Sequence, residues 1–196
     1  DCLPQTYLMD PAAALAKVGP ATRAVVPVHL YGQCADTAAL TAALPARVRV
    51  VEDAAQSQGA TREGRSPGSG GIAATSFYPG KNLGAYGDAG AVLTDDEETA
   101  GLVRALANHG GVAKYRHDVA GFNSRLDGLQ AVVLRAKLAR LEQLARDHGS
   151  ALGLADGPSP VTTARLAAWA ATLGQRGVVL VPVSALVPLS IAQARP

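Results

Sequence analysis

The chain has 196 residues and 48% of them are hydrophobic, which is enough for one sizeable core and a small appendage. Its 18 basic and 16 acidic side chains nearly balance, so we expect neither a disordered polyelectrolyte nor a strongly basic nucleic-acid binder. No run of about 20 apolar residues is present, so no membrane-spanning helix is expected. Residues 1–5 show no secretory signal, and Cys2 and Cys34 are too few for a disulfide framework or a cysteine-based metal site. We expect a cytoplasmic protein without a metal.

The first quarter of the chain is predicted to alternate short helices with short strands. The expected elements are a helix at 11–18, a strand at 24–28, a helix at 37–44 and a strand at 48–51. Asp10 and Asp36 stand where N-caps are preferred, and the two strands are apolar on both faces, as parallel strands are. Strand, helix and strand at this spacing are typical of a βαβ unit, which predicts an α/β fold with a mostly parallel central sheet and flanking helices.

Further elements follow at a similar spacing. They are a loop at 59–71, strands at 74–78 and 89–94, a helix from 96 to 107, an irregular segment at 108–124 and a long helix at 125–146. The long helix is predicted from Leu126, Leu129 and Val133, which recur at helical spacing. After Gly149 the composition changes to a Gly- and Pro-containing stretch, which is typical of a linker.

Two polar side chains follow predicted strands and could carry chemistry. Asp53 comes directly after the strand at 48–51, and Lys81 follows the strand at 74–78 in a turn shaped by glycine and proline. Ligands of open α/β sheets bind beyond the carboxyl ends of the strands, and an acid and a lysine there suit pyridoxal phosphate (PLP). A solvated surface lysine and an aspartate that only shapes a turn are the alternatives.

Other polar residues give weaker signals. Gly68–Gly71 matches a nucleotide phosphate loop poorly, because no clear strand precedes it and no helix follows it. His109 and His117 lack the cysteine or carboxylate neighbours of a metal site. We expect His29 to be a hydrogen-bonded residue near the wall of the site, and Tyr78 and Tyr86 to be packing residues.

Four segments together resemble one protein family. They are PVHLYGQ at 27–33, EDAAQSQG at 52–59, SFYPGKNLGAYGDAGAVLTDD at 76–96, and the segment 108–138, which contains GFNSRLDGLQ. In order and spacing they resemble the DegT/DnrJ/EryC1/StrS family of sugar aminotransferases, PLP enzymes of fold type I. The resemblance covers roughly residues 5–145.

The resemblance implies a role for five residues. Lys81 would form the Schiff base with PLP and shuttle the proton, and Asp53 would pair with the pyridine nitrogen. Gln56 would lie near the phenolic oxygen of the cofactor, and Ser76 would bind its phosphate. Asn123 would reach the phosphate in the partner subunit, which implies a homodimer with shared active sites.

The implied reaction transfers an amino group from glutamate or glutamine to a nucleotide-linked keto sugar. The form of residues 79–85 is most similar to members acting on dTDP-3-keto-deoxysugars in amino-sugar and antibiotic biosynthesis. The alternatives are a non-catalytic or regulatory member of the family, an inactive truncated fragment, and a related PLP enzyme in which the lysine is replaced. The presence of Lys81, Asp53 and Gln56 argues against the regulatory alternative, and Lys81 argues against the lysine-replaced one.

The length of the chain bears on its domain organisation, because family members are roughly twice as long. We expect residues 1–147 to be part of a PLP-binding large domain that is incomplete at its N-terminus. Residues 148–160 would be a linker, and 161–196 the start of a small C-terminal domain or a diverged tail. The phosphate-holding turn and the aromatic ring that stacks on the cofactor would come from a preceding segment.

Overall fold

The structure is a computed structural model that describes residues 1–148. Its centre is a four-stranded sheet in the order β1–β2–β3–β4. The strands are β1 Ala24–Val25, β2 Arg49–Asp53, β3 Ile72–Ser76 and β4 Gly90–Leu93. The first three are parallel and β4 pairs antiparallel with β3. The predicted α/β fold with a mostly parallel sheet is confirmed. The predicted linker and tail lie outside the described residues, apart from His148.

Four α-helices accompany the sheet. They are α1 Pro11–Leu15, α2 Thr37–Ala43, α3 Glu97–Ala107 and α4 Gly128–His148. The first three begin after an aspartate whose carboxylate accepts a hydrogen bond from a backbone N–H of the first turn, and these caps are Asp10, Asp36 and Asp96. Helix α2 ends before Leu44, which is extended because Pro45 follows it. None of the helices in the described range is long and apolar enough to cross a membrane.

Several boundaries differ from the sequence prediction. Strand β1 has two residues, because Pro27 has no N–H to donate to the ladder, and Val28 meets Asp53 only as an isolated parallel bridge. Helix α1 ends three residues early, where Val18 N–H turns to the Leu15 carbonyl at 3.1 Å. The segment predicted to be irregular contains a small hairpin of β5 Gly111–Ala113 and β6 Arg116–His117.

Two buried clusters hold these elements together. Ala54, Ala73 and Leu93 pack between β2, β3 and β4. The second cluster joins Leu83 and Ala85, from the loop after β3, to Leu134 of α4. Since burial of apolar surface is the main stabilising term, the second cluster fixes the loop that carries Lys81 against α4.

Candidate active site

Strands β2 and β3 end in the same local arrangement. Ala55 N–H donates to Asp53 Oδ1 at 3.0 Å, and Tyr78 N–H donates to Ser76 Oγ at 3.2 Å. In both strands the side chain of the last residue accepts a hydrogen bond from the backbone N–H of the residue two positions later. This bond turns the backbone out of the sheet. Because the strands are parallel, both polar side chains lie at the same edge of the sheet. Oδ2 of Asp53 is the oxygen that this bond leaves available.

Lys81 lies in the loop between β3 and β4, one turn beyond Ser76. Its N–H donates to the Tyr78 carbonyl at 2.9 Å, and Ala85 N–H donates to the Phe77 carbonyl at 2.7 Å. A Cβ at Gly84 would lie 2.5 Å from the Pro79 carbonyl oxygen, so the close approach of backbone within this loop requires glycine. The half-buried Lys81 therefore stands in an ordered loop.

A cavity of about 500 Å³ opens beyond the carboxyl ends of β2 and β3. Its lining includes Tyr31, Gln56, Gln58, Gly80, Lys81 and Asn82. The structure thus brings Lys81 and Gln56 together at one cavity. Asp53 and Ser76 lie at the adjoining strand ends. Asn123 is exposed and forms an isolated bridge with Asn108, away from this lining.

The orientation of Gln56 is set by the segment before α2. Tyr31 N–H donates to Gln56 Oε1 at 3.4 Å, and Gly32 N–H donates to the Gln56 carbonyl at 2.9 Å. Tyr31 adopts a left-handed backbone conformation with φ of 55°, which is uncommon for a residue with a side chain. Since Oε1 already accepts a bond, Nε2 is the end of the amide that can donate to a group in the cavity.

Sequence reasoning missed Gln58. This residue is 6% exposed, and its amide connects Ser76 and Leu83, which flank Lys81. It gave no signal, because its partners are 18 and 25 residues away and a glutamine near a strand end is ordinarily solvated.

Helix α4 holds the other flank of the Lys81 loop. Tyr86 N–H donates to Gln130 Oε1 at 2.8 Å, and Lys137 Nζ donates to the Gly84 carbonyl. The same Nζ lies 5.3 Å from the centre of the Tyr86 ring. Tyr86 and Tyr78 are both exposed in the structure, so their prediction as packing residues was wrong. These contacts of α4 were also missed, because they join residues that are 44 and 53 positions apart.

A buried pair lies next to the site, on the other face of β2. His29 Nε2 and Glu52 Oε2 are 2.7 Å apart, and Ala35 N–H donates to His29 Nδ1 at 2.9 Å. The expectation of a hydrogen-bonded His29 is confirmed. Close by, burial and the charge of Glu52 raise the pKa of the Cys34 thiol, and Arg62 opposes them.

The other polar motifs form no second site in the described range. Gly70 N–H donates to Asp95 Oδ2 at 2.9 Å, and the amides of Ser69 and Gly71 donate to backbone carbonyls, so these amides of the glycine-rich loop are already bonded within the chain. His117 Nδ1 lies 3.0 Å from the His109 carbonyl oxygen. No group of three His, Cys, Asp or Glu side chains among residues 1–148 is placed to hold a metal ion.

Comparison with known proteins agrees with this arrangement. Residues 1–154 match the DegT/DnrJ/EryC1/StrS aminotransferase family. The chain belongs to this family. The resemblance identified from the motifs is thereby confirmed, and it extends over most of the chain.

Three curated relatives illustrate the range of the family. Over 136 residues the chain is 51% identical to the dTDP-3-amino-3,4,6-trideoxy-alpha-D-glucose transaminase of Streptomyces venezuelae, covering 68% of this chain and 36% of the relative. It is 48% identical to the UDP-2-acetamido-2-deoxy-3-oxo-D-glucuronate aminotransferase of Pseudomonas aeruginosa, covering 73% and 40%. It is also 48% identical to the pleiotropic regulatory protein of Geobacillus stearothermophilus, covering 73% and 39%. The chain therefore spans 36–40% of the length of these relatives.

Solved structures show the same fold. DesV of S. venezuelae, in complex with a ketimine intermediate, superposes with a TM-score of 0.66 at 38% identity and covers 100% of this chain and 60% of that one. NtdA of Bacillus subtilis, with bound cofactor PMP, superposes with a TM-score of 0.61 at 33% identity and covers 75% and 36%. The cofactor of the family is pyridoxal phosphate.

The residues of this chain fit that cofactor. An amine from Lys81 and an amide donor from Gln56 share a cavity of about 500 Å³, which is within the usual size range of small-molecule sites. A carboxylate and a hydroxyl stand at the neighbouring strand ends. PLP has a carbonyl that an amine can bind and a phenolate that an amide N–H can hydrogen-bond. It also has a pyridinium nitrogen that a carboxylate can pair with and a phosphate that a hydroxyl can bind.

Proposed function

We propose that the protein transfers an amino group from glutamate or glutamine to a nucleotide-linked keto sugar, with PLP as cofactor. The observation that carries this proposal is the shared cavity of Lys81 and Gln56 beyond the ends of β2 and β3. The names of the two aminotransferase relatives, which specify a dTDP-linked and a UDP-linked sugar, support the substrate class.

Each of these residues has a task that follows from its chemistry. PLP, when bound, supplies an electron sink for the carbon that loses or gains the nitrogen. The Lys81 amine would bind the cofactor carbonyl, and its Nζ would accept and return a proton during the reaction. The Asp53 carboxylate keeps the ring nitrogen protonated, since an opposite charge nearby favours the charged form. Gln56 Nε2 would donate a hydrogen bond to the phenolic oxygen and Ser76 Oγ would bind the phosphate, and together these contacts would orient the cofactor.

For the sugar we propose a dTDP-3-keto-deoxysugar in antibiotic biosynthesis. The S. venezuelae relative at 51% identity bears the name of a dTDP-3-amino-sugar transaminase. Another relative, at 50% identity, is named the erythromycin biosynthesis sensory transduction protein EryC1 of Saccharopolyspora erythraea; its name supports the pathway but names no transaminase. A panel of dTDP-linked and UDP-linked 3-keto and 4-keto sugars, with glutamate as donor, tests this choice.

We further propose a homodimer that shares its active sites through Asn123. Support comes from large apolar side chains that are exposed on either side of this residue along the chain, namely Val112, Tyr115, Phe122, Leu129 and Val132. Tyr115 is 88% exposed and Leu129 80%, and exposed apolar groups in such number are typical of an interface. Sedimentation of the wild type and of Leu129→Asp checks this: a dimer in the first and a monomer in the second are expected.

The decisive test of the function is covalent trapping of PLP in the full-length protein. Borohydride reduction and peptide mapping should place the cofactor on Lys81, and Lys81→Ala should abolish both the trapped peptide and the absorbance of bound PLP. Lys17→Ala is the matched control, because Lys17 is an exposed lysine that neither lines the cavity nor belongs to the proposed dimer interface. Trapping that persists in Lys81→Ala contradicts the assignment. A wild type that binds no PLP favours the regulatory alternative.

We also propose the domain division and the cellular location that the sequence predicts. The division into a part of the large domain at 1–147, a linker at 148–160 and a following unit at 161–196 can be checked by limited proteolysis, with cleavage expected first in the linker. A cytoplasmic location is in keeping with the free thiols of Cys2 and Cys34.

A further inference from the structure

We propose that Gln58 is a positioning residue that determines where the Lys81 amine stands. The inference rests on the proposed function, because it takes Lys81 as the reacting amine. It concerns a residue that follows β2 and acts on a loop that follows β3. One buried amide thereby couples these two parts of the site.

Both ends of the Gln58 side chain are engaged. Nε2 donates to the Ser76 carbonyl at 3.0 Å, and Oε1 accepts from Leu83 N–H at 2.7 Å. The residue is only 6% exposed, so neither bond is readily replaced by water. Leaving a buried side-chain amide without hydrogen-bond partners costs folding free energy. The two bonds of Gln58 therefore constrain the loop specifically, unlike a contact at the surface.

The two partners flank Lys81 closely. Ser76 lies five residues before it and Leu83 two residues after it. The bonds of Lys81 N–H to Tyr78 and of Ala85 N–H to Phe77 lie within the segment and can move with it. Gln58 instead reaches the segment from another element, so it fixes the position of Lys81 relative to the end of β2, where Asp53 stands.

Helix α4 does not replace this constraint. Its two hydrogen bonds to the loop, from Gln130 and Lys137, are made to Tyr86 and Gly84, and Leu134 packs against Leu83 and Ala85 without a directional bond. The hydrogen bond that orients the backbone of Leu83 therefore comes from Gln58, on the β2 side, while α4 contributes apolar packing. Proton transfer needs the amine within about 3.5 Å of the reacting atoms, so a loosened loop lowers the rate without removing the amine.

Two variants separate the two bonds. Gln58→Met keeps the length of the side chain and removes both bonds, whereas Gln58→Glu keeps an acceptor for Leu83 N–H and removes the donor to Ser76. Gln33 offers a matched control, since its half-buried amide donates to the carbonyls of Thr6 and Leu30, on another segment. Gln33→Met and Gln33→Glu should behave as the wild type at Lys81.

The first measurement needs no cofactor. Hydrogen exchange of the peptide that contains Leu83, in protein freed of PLP, should become about tenfold faster for this amide in Gln58→Met and stay unchanged in Gln58→Glu. Amides of α3 should exchange as in the wild type. Unchanged exchange at Leu83 in Gln58→Met, or equal acceleration throughout the chain, overturns the proposal.

The second measurement uses the protein loaded with PLP. In Gln58→Met we expect kcat to fall about tenfold with little change in KM for the amino donor, and in Gln58→Glu about threefold, because proton transfer by Lys81 is affected more than binding. If kcat falls no further in the two Gln58 variants than in the two Gln33 variants, the proposal is overturned. If wild-type protein traps no PLP on Lys81, the proposed function fails, while the exchange at Leu83 still reports whether Gln58 holds the loop.

Discussion

His29 donates a hydrogen bond from Nε2 to the carboxylate of Glu52, with 2.7 Å between the two atoms. The proton lies on Nε2 because Nδ1 accepts a bond from Ala35 N–H. His29 N–H also donates to the Asp53 carbonyl at 2.9 Å. Glu52 and Asp53 are successive residues of a strand and face opposite sides of the sheet. The pair therefore fixes the end of β2 from the side away from the cavity.

Removing one partner of this pair should destabilise the fold strongly. Glu52→Ala leaves a buried imidazole N–H without its acceptor, and we expect a loss of about 3 kcal/mol in the free energy of unfolding. Glu52→Gln retains an acceptor oxygen, so its cost should be only about 1 kcal/mol. Urea titration of both variants measures the difference. Equal stability of Glu52→Ala and Glu52→Gln would show that the hydrogen bond contributes little.

Local signals made much of this fold predictable from sequence. The caps Asp10, Asp36 and Asp96 act on amides two or three residues away, so their pattern is visible in a short window. The positions of Asp53 and Lys81 after β2 and β3 follow from the same reasoning, because strand ends of parallel sheets meet at one edge.

Long-range contacts were beyond that reasoning. Gln58 and Gln130 are bonded to amides 25 and 44 residues away, and nothing in their own neighbourhoods distinguishes them from solvated glutamines. The hairpin of β5 and β6 is formed by segments of three and two residues, too short for an alternating pattern to be seen. The family resemblance located the motifs, but it did not indicate which residues Gln58 and Gln130 hydrogen-bond.

The charge of Asp53 can be tested without disturbing its turn. Asp53→Asn keeps an oxygen that accepts from Ala55 N–H, so we expect the fold to be retained. The variant cannot stabilise a protonated ring nitrogen by charge, and transamination should fall about 10- to 100-fold. Asp36→Asn is the control, since Asp36 caps α2 away from the cavity. Steady-state kinetics and circular dichroism of both variants give the answer; wild-type activity in Asp53→Asn would exclude the assigned role.

The tight turn after Lys81 leads to a prediction for Gly84. A Cβ at this position would lie 2.5 Å from the Pro79 carbonyl oxygen, and backbone would have to move to accommodate it. We expect Gly84→Ala to shift the loop, to cost roughly 1–3 kcal/mol of stability and to slow trapping of PLP on Lys81.

Gly101 provides the contrast. It lies in α3, and a Cβ there would meet nothing within 4 Å. Gly101→Ala should stabilise the protein by about 0.5–1 kcal/mol, because alanine favours the helix, and should leave trapping unchanged. Thermal melts and borohydride trapping of the two variants are the measurements. If Gly84→Ala matches Gly101→Ala in both, the loop is not constrained as described.

The two cysteines should differ in reactivity. Cys34 is 9% exposed whereas Cys2 is exposed. Burial raises the pKa of the Cys34 thiol, the Glu52 carboxylate adds to this, and the Arg62 guanidinium acts in the opposite direction. Because the thiolate is the nucleophile, Cys34 should react with a disulfide reagent roughly 100-fold more slowly than Cys2 in the folded protein at neutral pH.

The same pKa shift predicts how stability depends on pH. A thiol whose pKa is raised by folding stabilises the folded state fully below its ordinary pKa, and this contribution is lost as the pH rises through the pKa of the folded state.

Arg62→Ala should raise the pKa of the Cys34 thiol further and Glu52→Gln should lower it, since each removes one of the two charges. Labelling rates of Cys34 between neutral and alkaline pH, in a Cys2→Ser background, measure both shifts. A faster reaction of Cys34 in Arg62→Ala, at unchanged stability, would contradict the assigned effect of the guanidinium.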